Sequence, residues 1–514
     1  MARWGAFICD GAGVDAASLA GEEVVVTTTL PSQPGDLACK LVGIGTRYNL
    51  DGGILIGVVP ELVEDLLKDS LRQAGLDPFR LVLVDLRGRD AEGKDREIKA
   101  AFARARHLEP AAWAKSEVEQ RALIIGGGAA GLQTALSLRQ LGLPVLIVEG
   151  EQNLGGRLGR LDGLFPYDED PKGWIQSALE ALQDDPEVEI LTASNPLALE
   201  GQVGDFTLTV QTPGGPVTRR GGAVVLALGS EVRWPAESGL EPGPRVVGLS
   251  RLDELTRFRL HHKKVAFLLD LDELGSRVGT LSALRGALRI KDNWGSEVHI
   301  LCRHLKVDGK PLESMYRKAR DMGVVFFKYE EFPKVTETGE KVFLQFQDPD
   351  LEYVVVDEAY DLLVVEEEIL PAGEVLTEAW GISQPANVRL YPVETNRKGI
   401  YMVGCCRDEM DFPGAIQDGT VAAGEIYELL GQGALVYEED MVKVQTEKCV
   451  FCLTCVRICP HGAAEIDLVE EAAFINPAAC QACGMCAADC PAQAIVYKAY
   501  DNTGIMAQLE LGGR

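Results

Sequence analysis

Two cysteine runs carry the most specific chemistry in the chain: Cys449-x2-Cys452-x2-Cys455-x3-Cys459-Pro460 and Cys480-x2-Cys483-x2-Cys486-x3-Cys490-Pro491. Thiolates at this bacterial spacing hold a [4Fe–4S] cube, and in two-cube modules the fourth cysteine of each run ligates the other cube. Three thiolates on one tight loop reach three corners of a small cube, but the loop cannot also supply the fourth. The spacing therefore assigns Cys449, Cys452, Cys455 and Cys490 to one cube, and Cys480, Cys483, Cys486 and Cys459 to the other. Pro460 and Pro491 lack an N–H and fix φ, so each turns the chain away after the crossing cysteine. Structural zinc and a disulfide framework are the competing uses of clustered cysteines. Duplicated fourfold spacing with two Cys-Pro endings favours cubes, and so a chain that handles single electrons.

A second motif lies upstream. Residues 122–125 form a short apolar run, followed by Gly126-Gly-Gly128-Ala129-Ala130-Gly131, an amphipathic stretch to Leu141, and a second apolar run ending in Glu149. Strand, G-x-G-x-x-G, helix, strand and acid in that order predict a dinucleotide site. Gly126 makes the turn, Gly128 lets backbone N–H groups approach a pyrophosphate, and Gly131 lets helix and strand pack closely. Glu149 is placed to accept from a ribose hydroxyl. Asn153-Leu-Gly155-Gly156-Arg157 continues the pattern as in flavoproteins with two dinucleotide domains, favouring FAD over NAD; a solvated Gly-Arg loop is the alternative. Strands at 188–191, 206–211 and 217–219 suggest an antiparallel insert. The run 223–228 then returns to Gly229-Ser230, and a later strand ends at Gly404. In this superfamily Gly404 would approach the ribityl chain, and the helix start near Ala415 and Ile416 would point at the flavin O2 side. Cys405 stands where an acid is usual.

Around these motifs the chain reads as α/β. Residues 1–118 alternate strands (4–9, 24–29, 54–59, 81–86) with helices (61–74, 95–108), and Pro110 and the polar 115–121 segment read as linker. Residues 240–385 predict strands at 264–270, 297–302 and 324–328 and helices at 277–290 and 312–322. Its first turn, Leu269-Asp-Leu-Asp-Glu-Leu-Gly275, has one glycine and three acids, which would repel a pyrophosphate. Cys9 and Cys39 read as buried packing thiols, and the vicinal Cys405-Cys406 as inert packing beside the flavin. Among 13 cysteines the only redox spacing is in the two runs, and reduced thiolates ligating iron point to the cytoplasm. No signal-peptide pattern opens the chain, and the apolar stretch 41–60 is broken by Arg47, Asn49 and Asp51, so no bilayer span is expected. With 50 basic against 78 acidic residues the net charge is −28. Such a surface repels nucleic acid and anionic membranes and suits basic faces on protein partners; solubility alone is the alternative explanation.

The order of these parts resembles the A subunit of heterodisulfide reductase and its relatives, including flavin subunits of the quinone-interacting oxidoreductase complex and of benzoyl-CoA reductase-type assemblies. The resemblance is carried by Gly5-Ala-Phe-Ile-Cys9, Arg121-Ala-Leu-Ile-Ile-Gly126, Asn153-Leu-Gly-Gly-Arg157, Ser296-Glu-Val-His-Ile-Leu-Cys302, Met315-Tyr-Arg-Lys-Ala-Arg-Asp-Met-Gly323 and Val403-Gly-Cys405 before Asp411-Phe-Pro413. That family usually places further cysteines in its N-terminal domain and after a Gly-Ser-Arg segment. Here Gly275-Ser-Arg277 is followed by Val-Gly-Thr-Leu-Ser, and Pro31-Ser-Gln-Pro34 and Val59-Pro60 stand at the other turns. The resemblance thus implies a trimmed or paralogous version without the extra cluster.

The reading is an α/β FAD flavoprotein of the two-dinucleotide-domain type with a bacterial ferredoxin domain. Its expected domains are 1–118 (α/β), 119–240 with 386–435 (FAD), 241–385 (degenerate nucleotide domain) and 436–514 (two [4Fe–4S] clusters). The expected role is an oxidoreductase subunit relaying electrons between FAD and the clusters, with no catalytic acid or nucleophile. Its partners would be heterodisulfide reductase B- or C-like subunits, or a paralogous A-like subunit. Two alternatives stay open: a stand-alone NAD(P)H-dependent reductase like the small subunit of glutamate synthase, and a structural subunit retaining its cofactors as scaffolding.

Overall fold

Four consecutive buried apolar residues, Ala122–Ile125, lie at the centre of a five-stranded parallel sheet. Its strands run in the order Ile400–Met402, Ala223–Leu226, Ala122–Ile125, Val145–Val148, Val188–Leu191. Being covered on both faces, its three inner strands read as unbroken apolar runs rather than alternating ones. The computed structural model describes all residues except 1–2, 16–18, 20–23, 75, 78–79, 109, 111, 161–169, 236–238, 252–262, 272–274, 308–309, 385–392, 499–501 and 513–514. The expected domain edge at 385–386 lies outside the described residues, as do Asp272, Glu273 and Leu274 of the acidic turn.

Two units emerge from the packing: Met1–Ser116 with Val436–Arg514, and Glu117–Leu435. The second holds the sheet above and another parallel sheet, ordered Val246–Gly248, Leu362–Val365, Lys264–Leu268, Glu297–Cys302, Val325–Lys328. One expectation is corrected here. Val188–Leu191 is not part of the antiparallel insert; it pairs parallel with Val145–Val148 after the crossover helix Pro171–Gln183. The insert's third strand is Asn195–Gln202, paired with Asp205–Thr212, which pairs in turn with Gly215–Gly221. An edge strand needs only one apolar partner, and the half-buried Val188–Leu191 shows no period that tells the two sheets apart.

In the other unit a four-stranded parallel sheet is ordered Val24–Leu30, Trp4–Cys9, Gly52–Ile56, Leu81–Val84. The helix Pro34–Tyr48, unforeseen because Gly43 and Gly45 interrupt its apolar face, buries Leu37, Ala38, Leu41 and Gly45. Of the segment expected as linker, Trp113–Glu117 forms a strand. Near the C-terminus, Val442–Val444 pairs antiparallel with Ile495–Tyr497, and Ala464–Asp467 with Ala472–Ile475. The helix Asn502–Gly512 packs on Ala91–Ala105. Lys498 Nζ donates to the Pro110 carbonyl at 2.5 Å and to Asp440 Oδ2 at 2.9 Å. Among the described residues no helix is long and apolar enough to cross a membrane.

Candidate functional site: a glycine cradle and a ring of thiols

The chain leaves Ala122–Ile125 through Gly126 at φ +108°, a left-handed turn that side chains resist. A Cβ on Gly126 would lie 2.2 Å from the Ala227 carbonyl, and one on Gly131 would lie 2.0 Å from the Gly126 carbonyl. Strand, turn and helix therefore touch backbone to backbone. Gly128 caps the helix Ala129–Gln140, and a Cβ there would meet nothing within 4 Å. A helix N-terminus entered through such an open glycine is the kind of terminus that receives a phosphate. Gly156 closes on this loop: at φ +52°, its Cβ would sit 3.4 Å from the Gly128 Cα, and Gly155 N donates to the Gly127 carbonyl at 2.8 Å. The two glycine segments, separate in sequence, form one cradle.

Glu149 is buried at the end of Val145–Val148. Its Oε2 accepts from Gly127 N at 2.7 Å and its Oε1 from Glu151 N at 2.8 Å. A carboxylate has about four lone-pair sites, so these two bonds fix the group and leave capacity for a ribose hydroxyl. Arg157 Nη1 donates to Ser230 Oγ at 2.9 Å, beside Gly229 at φ +74°. Cys405 lies against this pair. Burial raises its thiol pKa, while the Met410 backbone, Arg157 and Ser230 act in the opposite direction. Gly404, at φ +73°, would place a Cβ 2.9 Å from the Ala130 Cβ. Ala415 is buried and Ile416 half-buried on the first turn of the helix Phe412–Leu430, whose N-cap Asp411 accepts from Gly414 N at 3.1 Å. Every residue assigned to the flavin from sequence lies on one of these meeting segments.

The cysteine runs wind through matching left-handed residues. Phe451 (φ +51°) and Leu453 (+57°) in the first run correspond to Ala482 (+55°) and Gly484 (+81°) in the second. Cys449, Cys452, Cys455 and Cys490 line one hollow of about 350 Å³, counting the open space at its mouth, with Val444, Ala473 and Ile495 among its walls. Cys490 comes from the second run, so this hollow joins three thiols of one loop to the crossing thiol of the other. Around the second run, burial pushes Cys486 up to about 11, and the neighbouring thiols Cys480, Cys459, Cys483 and Cys455 add to it in falling order. Among the described residues no three His, Cys, Asp or Glu side chains group tightly enough for a single metal ion. Four thiols from two loops lining one hollow fit the corners of an iron–sulfide cube. Backbone N–H groups support the sulfurs: Ala482 N reaches Cys480 Sγ at 3.4 Å and Ala494 N reaches Cys490 Sγ at 3.3 Å.

The family model described as Pyridine nucleotide-disulphide oxidoreductase matches residues 120–423. The chain belongs to that family. A second model, described as 4Fe-4S dicluster domain, matches residues 441–491. Among curated relatives, the second of two iron–sulfur A subunits of CoB–CoM heterodisulfide reductase in Methanopyrus kandleri is 24% identical, covering 83% of this chain and 83% of the relative. The iron–sulfur A subunit of the CoB–CoM heterodisulfide reductase of Methanocaldococcus jannaschii is 25% identical, with 87% of each chain covered. The resemblance read from the motifs is thus matched along most of the chain. Among solved structures, a thioredoxin reductase of Lactococcus lactis is 16% identical, covers 61% of this chain and 100% of its own, and has a TM-score of 0.44. This member of the pyridine nucleotide-disulphide oxidoreductase family is an oxidoreductase that joins a flavin-type domain to an iron–sulfur domain.

Some of its site residues were not foreseen. Asp418, buried on Phe412–Leu430, accepts from Gly404 N at 3.1 Å and from Arg407 Nε at 2.9 Å, pinning the Gly404 turn. Gly419 presses that helix onto Ala129–Gln140, since its Cβ would sit 2.7 Å from the Ala130 carbonyl. Asp418 is the middle residue of Gln417-Asp-Gly419, and an acid followed by glycine at a helix crossing was the available signal. Cys39, expected to be buried, is exposed, because its helix turns the opposite face to the sheet; Cys9 is buried and pushed up to about 11. Cys406 is buried, with its Sγ 3.1 Å from the Leu226 carbonyl and its pKa raised by burial to about 11.

Proposed function

We propose that the chain is the electron-transfer flavoprotein component of a multi-subunit redox complex, carrying FAD in the glycine cradle and two [4Fe–4S] clusters in the cysteine runs. The observation that carries this reading is the hollow lined by Cys449, Cys452 and Cys455 together with Cys490 from the other run. When bound, the flavin supplies the exchange between two-electron and one-electron transfer, and the clusters supply single-electron carriage. The chain's own residues bind and orient. Gly126, Gly128, Gly131, Gly155 and Gly156 admit the dinucleotide backbone, Glu149 holds the ribose end, and Arg157 is the cation at the phosphate side. The first turn of Phe412–Leu430 offers its positive end to developing charge on the ring. The relatives carry the names of complex components, which supports partners of heterodisulfide reductase B or C type or a second A-like subunit, in the reducing cytoplasm.

The charge around the clusters predicts the order in which they reduce. Arg457 Nη2 donates to the Cys452 carbonyl at 3.0 Å, so a cation stands at the Cys449–Cys452–Cys455 loop. Positive charge favours the more negative reduced cluster. Asp489 adjoins Cys490 and opposes this; both charges are exposed and screened by water, but Arg457 is held at the loop by its bond to the Cys452 carbonyl. The cluster held by Cys449, Cys452, Cys455 and Cys490 therefore has the higher potential. An anaerobic EPR-monitored titration tests the reading and the order together. Perturbing that cluster with Cys452→Ser should leave a signal at lower potential than the one Cys483→Ser leaves. The reverse order rejects the charge argument, and signals absent from the wild type reject the function.

A further inference from the structure

In open parallel sheets a dinucleotide lies outside the carboxyl ends of the strands where the strand order reverses, with its pyrophosphate on the following helix N-terminus. In the sheet around Lys264–Leu268 that point lies between Lys264–Leu268 and Leu362–Val365, at the start of the helix Arg277–Trp294. The chain fills this place with its own carboxylates. Glu409, half-buried in the segment after Cys406, accepts from Val278 N at 2.9 Å and from the N-cap hydroxyl of Ser276, whose oxygen in turn holds Gly279 N at 2.7 Å. Glu366 directly follows Leu362–Val365 and is buried; its Oε2 accepts from Asp270 N at 2.6 Å. A Cβ on Gly279 would come within 1.5 Å of Glu366 Oε1, so this carboxylate lies on the glycine of the helix's first turn. Asp270, also buried, accepts from His304 N at 2.7 Å. Arg277, the cation at the same helix start, lies 3.7 Å from Asp411.

We infer that Glu409 and Glu366 occupy the phosphate position of the second nucleotide domain, so that pyridine dinucleotides are excluded from it and do not donate hydride to this chain. A diphosphate entering the crevice would have to displace Glu409 from two donors and settle against the charge of Glu366. The family's name makes a nicotinamide donor the default, and these two side chains remove it. The inference needs no iron–sulfur cluster and its calorimetric arm needs no flavin; only the bleaching arm rests on the FAD of the proposed function.

The test is anaerobic calorimetric titration of the full-length holoprotein with inorganic pyrophosphate, and mixing with NADH and NADPH while flavin absorbance is followed. Wild type should give no saturable heat up to about 1 mM and no rapid flavin bleaching. Glu409→Ser frees Val278 N and the Ser276 hydroxyl, and Glu366→Gln removes the second charge with little change in shape. Together they should raise pyrophosphate affinity on the order of tenfold or more. Glu409 is only half-buried, so Glu409→Ser alone carries the test if the double variant does not fold, with flavin content and thermal melting reporting the fold. Saturable binding or bleaching in the wild type overturns the inference. So does a folded variant that binds pyrophosphate no better than the wild type.

Discussion

Gly131→Val should lose most of its flavin on purification. The added Cβ would lie 2.0 Å from the Gly126 carbonyl oxygen and 3.2 Å from the Ala227 Cβ. Both neighbours belong to the meeting of Ala122–Ile125, the Gly126 turn and Ala223–Leu226, where three backbones are in contact. A flexible side chain can yield to such a clash, but a sheet strand cannot, so the helix Ala129–Gln140 must lift away from the sheet. Overpacking of this kind costs up to about 3 kcal/mol or more, which converts to roughly a hundredfold weaker flavin affinity. Purified Gly131→Val should be colourless at 450 nm (apart from cluster absorbance) and should melt earlier. The matched control is Gly424→Ala on Phe412–Leu430, where a Cβ meets nothing within 4 Å. That change should keep the flavin and add about 0.5–1 kcal/mol through helix propensity. A yellow, wild-type-like Gly131→Val would remove the cradle from the account.

Cys490→Ser damages the cluster of the other run. If each run held its own cube, this variant would resemble Cys483→Ser. The hollow that seats Cys490 beside Cys449, Cys452 and Cys455 predicts instead that Cys490→Ser and Cys452→Ser lose the same EPR signal. Cys459→Ser and Cys483→Ser should share the loss of the remaining one. Each single variant should forfeit about half of the iron and acid-labile sulfide, since a cube with three thiolates exchanges or loses iron readily. Buried Cys455 and Cys486 sit in the same core as Val442, Ile475 and Tyr497, so losing a cube also loosens that core. Thermal stability should fall with iron content. A Cys490→Ser protein with the signal pattern of Cys483→Ser would refute the crossing.

The contrast between what sequence did and did not reveal follows from the range of each interaction. The Gly126 turn, the cysteine runs and the strands beside them are local. Their residue types answer to a φ, a cap or a loop radius within a few positions, and these could be read directly. The 15-residue helix Pro34–Tyr48 escaped because Gly43 and Gly45 lower its helical signal, yet the sheet buries Leu37 and Leu41 regardless. Val188–Leu191 reads as a strand without revealing its sheet, because pairing partners are a tertiary choice that four half-buried residues do not encode. Asp418 with Arg407 and the Arg157–Ser230 pair join segments 11 and 73 positions apart. Such contacts became visible only once the chain was folded. The same is true of Glu409: an acid after Cys405-Cys406-Arg407 reads as a solvated charge until Val278 N is found 2.9 Å away.

The most direct trial is compositional and redox analysis of one anaerobic preparation. The account predicts about eight iron and eight acid-labile sulfide per flavin, and two separately reducible paramagnetic centres on stepwise addition of dithionite. Zinc in place of iron, or a preparation without labile sulfide, would contradict it.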